Sequence, residues 1–191
     1  MIVLVRHAET EWSRDRRHTG RSDIPLTDAG RAHAAALAPR LTVDGEGFDR
    51  VLSSPLSRAR ETCELAGLGA RAELVDALLE WDYGAYEGMT TAQIRAARPG
   101  WELWRDGCPG GEDVRTVGAR VDGLVDELRD PGLSAVLFAH GHVLRVLAAR
   151  WLGLPPEDGR GLALSSAALC RLGHENGHAA IWRWNEVVEG A

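Results

Sequence analysis

Ile2-Val3-Leu4-Val5 is a short unbroken apolar run with two β-branched valines and an isoleucine. That pattern predicts a strand buried on both faces, not one with a wet side. Thr27 caps a helix through about Leu37, with Pro39 near its end. Arg50-Val51-Leu52-Ser53 is a second short strand. Ser54-Pro55 then supplies an N-cap and a first-turn proline for a helix running to Gly67, which suits a left-handed cap. Leu74-Val75 is a weaker strand, followed by an irregular stretch from Trp81 to Gly88. Thr90 with Gln93 makes a capping box for a short helix that Pro99 ends. Asp113 opens a longer helix to about Arg129, with apolar positions at Val114, Val117, Val121, Leu124, Val125 and Leu128. Ala135 to Ala139 is the clearest buried strand, His142 to Leu152 a helix, and Asn176-Gly177 the turn of a hairpin.

Strands alternating with helices imply an α/β fold. The expected architecture is a three-layer sandwich: a mostly parallel central sheet, helices on both faces, and the final hairpin at or near an edge. There is no internal repeat and no low-complexity linker, and 191 residues fit a single domain over 1–191.

Composition changes the picture in one respect. The chain has 22 basic and 28 acidic residues, a formal charge of −6, and every basic residue is arginine. Without lysine there is no Schiff base, pyridoxal site or P-loop. Codon bias in a GC-rich genome is the simplest account of the missing lysine. The acidic balance argues against nucleic-acid or anionic-membrane partners. Cys63, Cys108 and Cys170 are odd in number and far apart, which fits a reducing compartment. The first residues lack the layout of a signal peptide and no stretch approaches ~20 apolar residues, so a cytoplasmic location is expected.

In such a sheet, ligands sit beyond the carboxyl ends of the strands. The first strand runs into Arg6-His7, the second leads to Arg58 in the first turns of a helix, and the late strand runs into His140-Gly141-His142. Glu80 follows the weak third strand. Arginine forks suit a phosphoryl group, an imidazole without a serine or cysteine partner can itself be the nucleophile, and a carboxylate can protonate the leaving oxygen. A single Arg-His pair after a strand is commonly a rim ion pair; the same chemistry at three strand ends points to a site.

The residues also carry a resemblance. Val5-Arg6-His7-Ala8-Glu9-Thr10-Glu11-Trp12 resembles the signature of the histidine phosphatase superfamily, phosphoglycerate-mutase-like branch, with Ala8 where glycine is usual. Asp23 to Gly30, Ser53 to Thr62, Glu80 to Gly88 and Phe138 to His142 are similar to its later blocks, in order. The resemblance implies that His7 is the phosphorylated nucleophile, that Arg6, Arg58 and His140 hold phosphoryl oxygens, and that Glu80 is the proton donor. It places Glu9, Ser13, His18, Thr19, Gly20, Tyr83, Gly141 and His142 on the substrate side, with Ser13 replacing the usual asparagine. It implies no metal and no cofactor. The expected partner is a small-molecule phosphate ester, with no nucleic acid and no membrane, and a homodimer stays open.

Within the family, mutases carry a lysine after the Tyr-Gly pair and a Trp-Arg-Arg run. Here those positions read Thr91 and Trp104-Arg105-Asp106, which favours hydrolysis. The blocks from Glu80 to Thr90, Trp104 to Cys108 and Phe138 to His142 resemble the branch of fungal sedoheptulose-1,7-bisphosphatase and bacterial acid phosphatases, implying a sugar phosphate or bisphosphate. Phosphoglycerate mutase remains the alternative. A catalytically dead phospho-ligand-binding or protein-interaction relative is a further one, against which the retained Glu80 speaks. Other motifs are weaker. The spacing from Cys108 to Arg115 is one residue too long for a cysteine phosphatase, Gly67 to Ala72 trails a helix and so is no dinucleotide loop, and His174 and His178 flank the hairpin turn. Trp182 and Trp184 are expected on one strand face.

Overall fold

The computed structural model describes residues 1–41 and 47–187. Its sheet has six strands in the order β3-β2-β4-β1-β5-β6. These are β1 (Ile2–Arg6), β2 (Arg50–Ser53), β3 (Ala72–Leu74), β4 (Ala135–Ala139), β5 (Leu169–Glu175) and β6 (His178–Glu186). The first four run parallel: β4 pairs with β1, Ile2 opposite Ala135, and with β2, Arg50 opposite the same Ala135, while β2 also pairs with β3. β5 is antiparallel to β1, and β6 closes the edge as the hairpin partner of β5. Asn176 and Gly177 turn that hairpin with φ of 51 and 80, as a two-residue turn matching strand twist requires.

The unbroken apolar strands follow from burial on both faces. Ile2, Leu4, Leu52, Ala135, Leu137 and Ala139 belong to the core on one face, with α6 (Val114–Leu128) and α7 (Gly141–Trp151). Val3, Val5, Val51, Val136 and Phe138 belong to the core on the other, with Leu37 after α2 (Asp28–Ala35) and Cys63 of α3 (Ser57–Leu65). All six apolar positions read along α6 are buried. Shorter helices α1 (Glu11–Arg14), α4 (Thr91–Ala97) and α5 (Leu103–Asp106) lie in the connections. The caps from Thr27, Thr90 with Gln93, and Asp113 form as expected. Among the described residues no helix is long and apolar enough to cross a membrane.

Three local expectations are corrected. Ser54 is not an N-cap: α3 starts at Ser57 behind Leu56, and Asp23 Oδ1 accepts from the Ser57 N–H at 2.8 Å. The Ser54 hydroxyl is instead engaged by His140. The third strand spans Ala72–Leu74, two residues before the sequence reading, because it needs the register that sets Val51 opposite Ala72. Trp182 and Trp184 do not share a face. The pairing slips between Arg171–Arg183 and Leu172–Ile181, so the alternation breaks at Trp182, which is 54% exposed while Trp184 packs on the core.

Strand order decides what comes together. The chain leaves β1, skips one place to β2, and later returns to fill the gap with β4. The carboxyl ends of β1, β4 and β2 therefore stand side by side.

Candidate active site

His7 continues β1, its N–H donating to the Ala139 carbonyl at 2.8 Å. Its Nδ1 lies 2.7 Å from the Ala8 carbonyl. A carbonyl only accepts, so Nδ1 carries the proton and Nε2 keeps its lone pair. Burial, then the charges of Arg58 and Arg6, hold this imidazole well below the usual histidine range, so it is neutral near pH 7. His140 follows β4 and packs edge-on against His7, ring centroids 5.1 Å apart. Arg58 Nε donates to its Nδ1 at 3.1 Å and its Nε2 meets Ser54 Oγ at 2.8 Å. Burial and Arg58 keep it neutral as well.

The cations differ in what they have left to offer. Arg6 Nη1 donates to the Leu164 carbonyl at 2.5 Å, while its buried Nε has no partner among the described residues. An orphaned buried donor of this kind suits an anion. Arg58 is fully buried, and beyond His140 it donates to the carbonyls of Ser22, Thr19 and Gly20 at 2.8 to 3.1 Å. Its donors thus fasten the 19–22 loop beneath the site, and its charge acts on both imidazoles.

Glu80 reaches the site after β3. Its Oε1 accepts from the N–H groups of Trp81 and Val143, both at 2.9 Å, and its Oε2 from that of His142 at 3.0 Å. The first turn of α7 thereby fixes the orientation of the Glu80 carboxyl group. His142 Nδ1 lies 2.6 Å from the Tyr83 hydroxyl, and burial, then Arg145, holds it well below the usual histidine range. Burial also pushes the thiols of Cys63, Cys108 and Cys170 up to about 12. None of the three lines the cavity.

The cavity above these groups measures about 400 Å³. It brings together Arg6, His7, Ser13, His18, Thr19, Glu80, Tyr83, Gly141 and His142 from the sequence-expected set. Arg58 and His140 stand behind its wall. Glu9 and Gly20 do not line it: the Glu9 carboxylate takes the Thr27 hydroxyl at 2.8 Å, and the Gly20 N–H binds Glu87 at 2.8 Å. A Cβ at Gly20 would lie 2.5 Å from the Trp81 carbonyl oxygen, so that glycine is needed for packing. The Ser13 hydroxyl is committed to Thr10 in a capping box.

Sequence reading missed Arg16, Arg17, Arg95, Trp101 and Arg145, which also line the cavity. Arg145 was within reach, because it lies three residues after His142 on the same helix, on the same side. Its guanidinium sits 4.7 Å above the Trp104 ring. The other residues carry no local pattern that sets them apart.

Residues 2–187 match the family described as histidine phosphatase superfamily (branch 1). The chain is similar to an acid phosphatase of Mycobacterium tuberculosis, 43% identical over 92% of this chain and 87% of that protein. It is 34% identical to a sedoheptulose 1,7-bisphosphatase of Saccharomyces cerevisiae, over 80% and 67% of the two chains. A 2,3-bisphosphoglycerate-dependent phosphoglycerate mutase of Brucella melitensis is 36% identical over 82% and 84%. A solved structure of an open reading frame product from Mycobacterium tuberculosis superposes with a TM-score of 0.90, at 39% identity and 97% coverage of both chains.

Proposed function

The chain belongs to the histidine phosphatase superfamily, branch 1, and from this premise we propose that it is a metal-independent phosphomonoesterase acting on a small sugar phosphate or bisphosphate through a phosphohistidine. The observation that carries the reading is His7: its Nδ1 proton is tied to the Ala8 carbonyl, and its unprotonated Nε2 belongs to a buried ring that lines the same cavity as Arg6 and Glu80.

In the first step His7 Nε2 attacks phosphorus and the P–O ester bond breaks. The departing oxygen takes a proton from Glu80. Arg6, whose buried Nε is free, neutralises charge on the equatorial oxygens; Arg58 adds its charge from behind and positions His140. Water then attacks phosphorus, Glu80 takes its proton, and the P–N electron pair returns to His7. The arginines supply the charge that a divalent ion supplies elsewhere, so a chelator should leave the rate unchanged.

The mutase reading is favoured by the Brucella relative, and the pocket weakens it. Thr91 stands in the cavity where a mutase carries lysine, and Arg105 is turned outward onto Asp106 at 2.7 Å. An inactive relative would have no need of a buried Glu80 held by three backbone donors. Phosphate release across a panel of sugar mono- and bisphosphates, run beside 2-/3-phosphoglycerate interconversion, tests all three. Interconversion without release would overturn the hydrolytic assignment, and neither activity would leave only the binding role.

A further inference from the structure

We propose that the mouth of the cavity is a second anion site, built by Arg16, Arg17 and Arg95, which takes a second phosphoryl group of the same substrate. The inference rests on the phosphatase reading above and narrows its substrate class to bisphosphates.

A phosphoryl group seated against Arg6 and His7 fills only a fraction of about 400 Å³. Five arginines line that space, against two carboxylates, Glu80 and Glu102. Both carboxylates are turned to backbone donors, Glu102 to the N–H groups of Trp104 and Arg105. The arginines keep their charge for a ligand. Among the described residues Arg16 and Arg95 have no carboxylate within ion-pair distance, and Arg17 has only Asp15, at 3.9 Å. Arginines on the remaining surface commonly are paired, as Arg50, Arg120 and Arg150 are. In a chain of net charge −6, three arginines with a single carboxylate partner between them, gathered at one opening, constitute a local field of the opposite sign.

Their backbone setting holds them there. Arg16 has φ 57, a left-handed conformation that a residue with a side chain adopts at a cost of about 1 kcal/mol or more. The turn is closed by the Arg17 N–H on the Trp12 carbonyl at 2.9 Å. The next residues are stapled to the segment before α4: the His18 N–H binds the Met89 carbonyl, the Gly88 N–H binds the His18 carbonyl, and Arg17 bridges to Thr90. Thr91 and Arg95 then share one face of α4 at i,i+4 spacing. The Arg95 Nε donates to the Trp101 carbonyl at 2.9 Å, which pins that guanidinium to the wall. His18, lining the same cavity, donates through Nδ1 to the Met89 carbonyl. Its Nε2 is thereby an acceptor, suited to a hydroxyl of the carbon chain joining the two phosphoryl groups.

The test is steady-state phosphate release at low ionic strength from fructose 1,6-bisphosphate, fructose 1-phosphate and fructose 6-phosphate. It compares the wild type with Arg16→Gln, Arg95→Gln, their combination and Arg16→Lys. The expected result is a wild-type preference for the bisphosphate of about tenfold or more in kcat/KM, expressed in KM, which is about 1.4 kcal/mol of differential binding. The double variant should bring the ratio of bisphosphate to monophosphate close to unity, Arg16→Lys should restore most of it, and added salt should erode it because the charges are exposed. Release from the monophosphates without a bisphosphate preference, or equal losses on all three esters in the variants, overturns the second site and leaves the phosphatase reading standing. Release from none of the three esters by the wild type overturns the second site as a sugar-bisphosphate site, and release from no member of the wider sugar phosphate panel overturns the phosphatase reading as well.

Discussion

Arg58 donates through Nε to Nδ1 of His140 at 3.1 Å, which fixes the proton of that imidazole on Nε2, where Ser54 Oγ accepts it at 2.8 Å. The relay is entirely buried. Ser54→Ala therefore strands an N–H in the interior, at a cost of roughly 1–3 kcal/mol. For a chain of this size that is a drop of several degrees in Tm, read by thermal unfolding. An unchanged Tm would show that the His140 proton has another partner.

Arg58 itself binds three carbonyls of the 19–22 loop. Lysine keeps the charge and loses the fork, so Arg58→Lys should lower stability by about 3 kcal/mol or more and cut kcat/KM together with it. Chemical denaturation beside phosphatase assay separates the outcomes. A loss of rate at unchanged stability would mean that the loop contacts are dispensable.

Glu80→Gln removes the proton and replaces one oxygen with an NH₂ that faces backbone donors. Rates on alkyl phosphates should fall by about 10²-fold or more, the usual span of general acid catalysis, and those on nitrophenyl phosphate far less. Equal losses on both esters would remove Glu80 from the role of acid.

His7→Ala should lower the rate by several orders of magnitude. Wild type quenched during turnover should carry an acid-labile, alkali-stable phosphoryl label that the variant lacks. A label that survives in the variant would place the nucleophile elsewhere.

The pH dependence of stability follows from the imidazoles. His7, His140 and His142 are all held well below the ordinary histidine pKa in the folded chain, by burial first. Below about pH 6.5 the unfolded chain binds protons that the folded one refuses, so stability falls as pH falls. Three such groups give a slope of up to about 4 kcal/mol per pH unit. Urea titrations between pH 7.5 and 5 should show it, and bound phosphate should reduce it by favouring the protonated imidazoles. A flat profile would mean that these rings take up protons in the folded chain as readily as in the unfolded one.

The strands were legible because burial on both faces leaves an unbroken apolar run, and the rim chemistry was legible because parallel strands deliver their following residues to one edge. Arg6, His7, Arg58, Glu80 and His140 were singled out in that way, and the structure brings Arg6, His7 and Glu80 to the cavity with Arg58 and His140 behind its wall. The division of labour between them was not legible. Arg6 ends β1 and Arg58 follows β2, the two strands that flank β4, yet Arg58 is spent on loop carbonyls while Arg6 keeps an Nε without a partner among the described residues. Ser54 looked like a helix cap because local pattern cannot see His140, 86 residues away.

The sequence by itself determined the kinds of element, most of their caps, the hairpin turn, and the set of groups available at the rim, since all of these depend on residues within a few positions of one another. Tertiary structure decided the rest. Insertion of β4 between β1 and β2 made His7 and His140 neighbours. Burial took the charge off both imidazoles, and partners far along the chain chose the tautomer of His140. The folding of 16–18 onto 88–90 gathered three arginines at the cavity mouth that nothing in their local sequence distinguishes from the other nineteen. Proton position and local field depend on distance in space, and that is set only when the sheet closes.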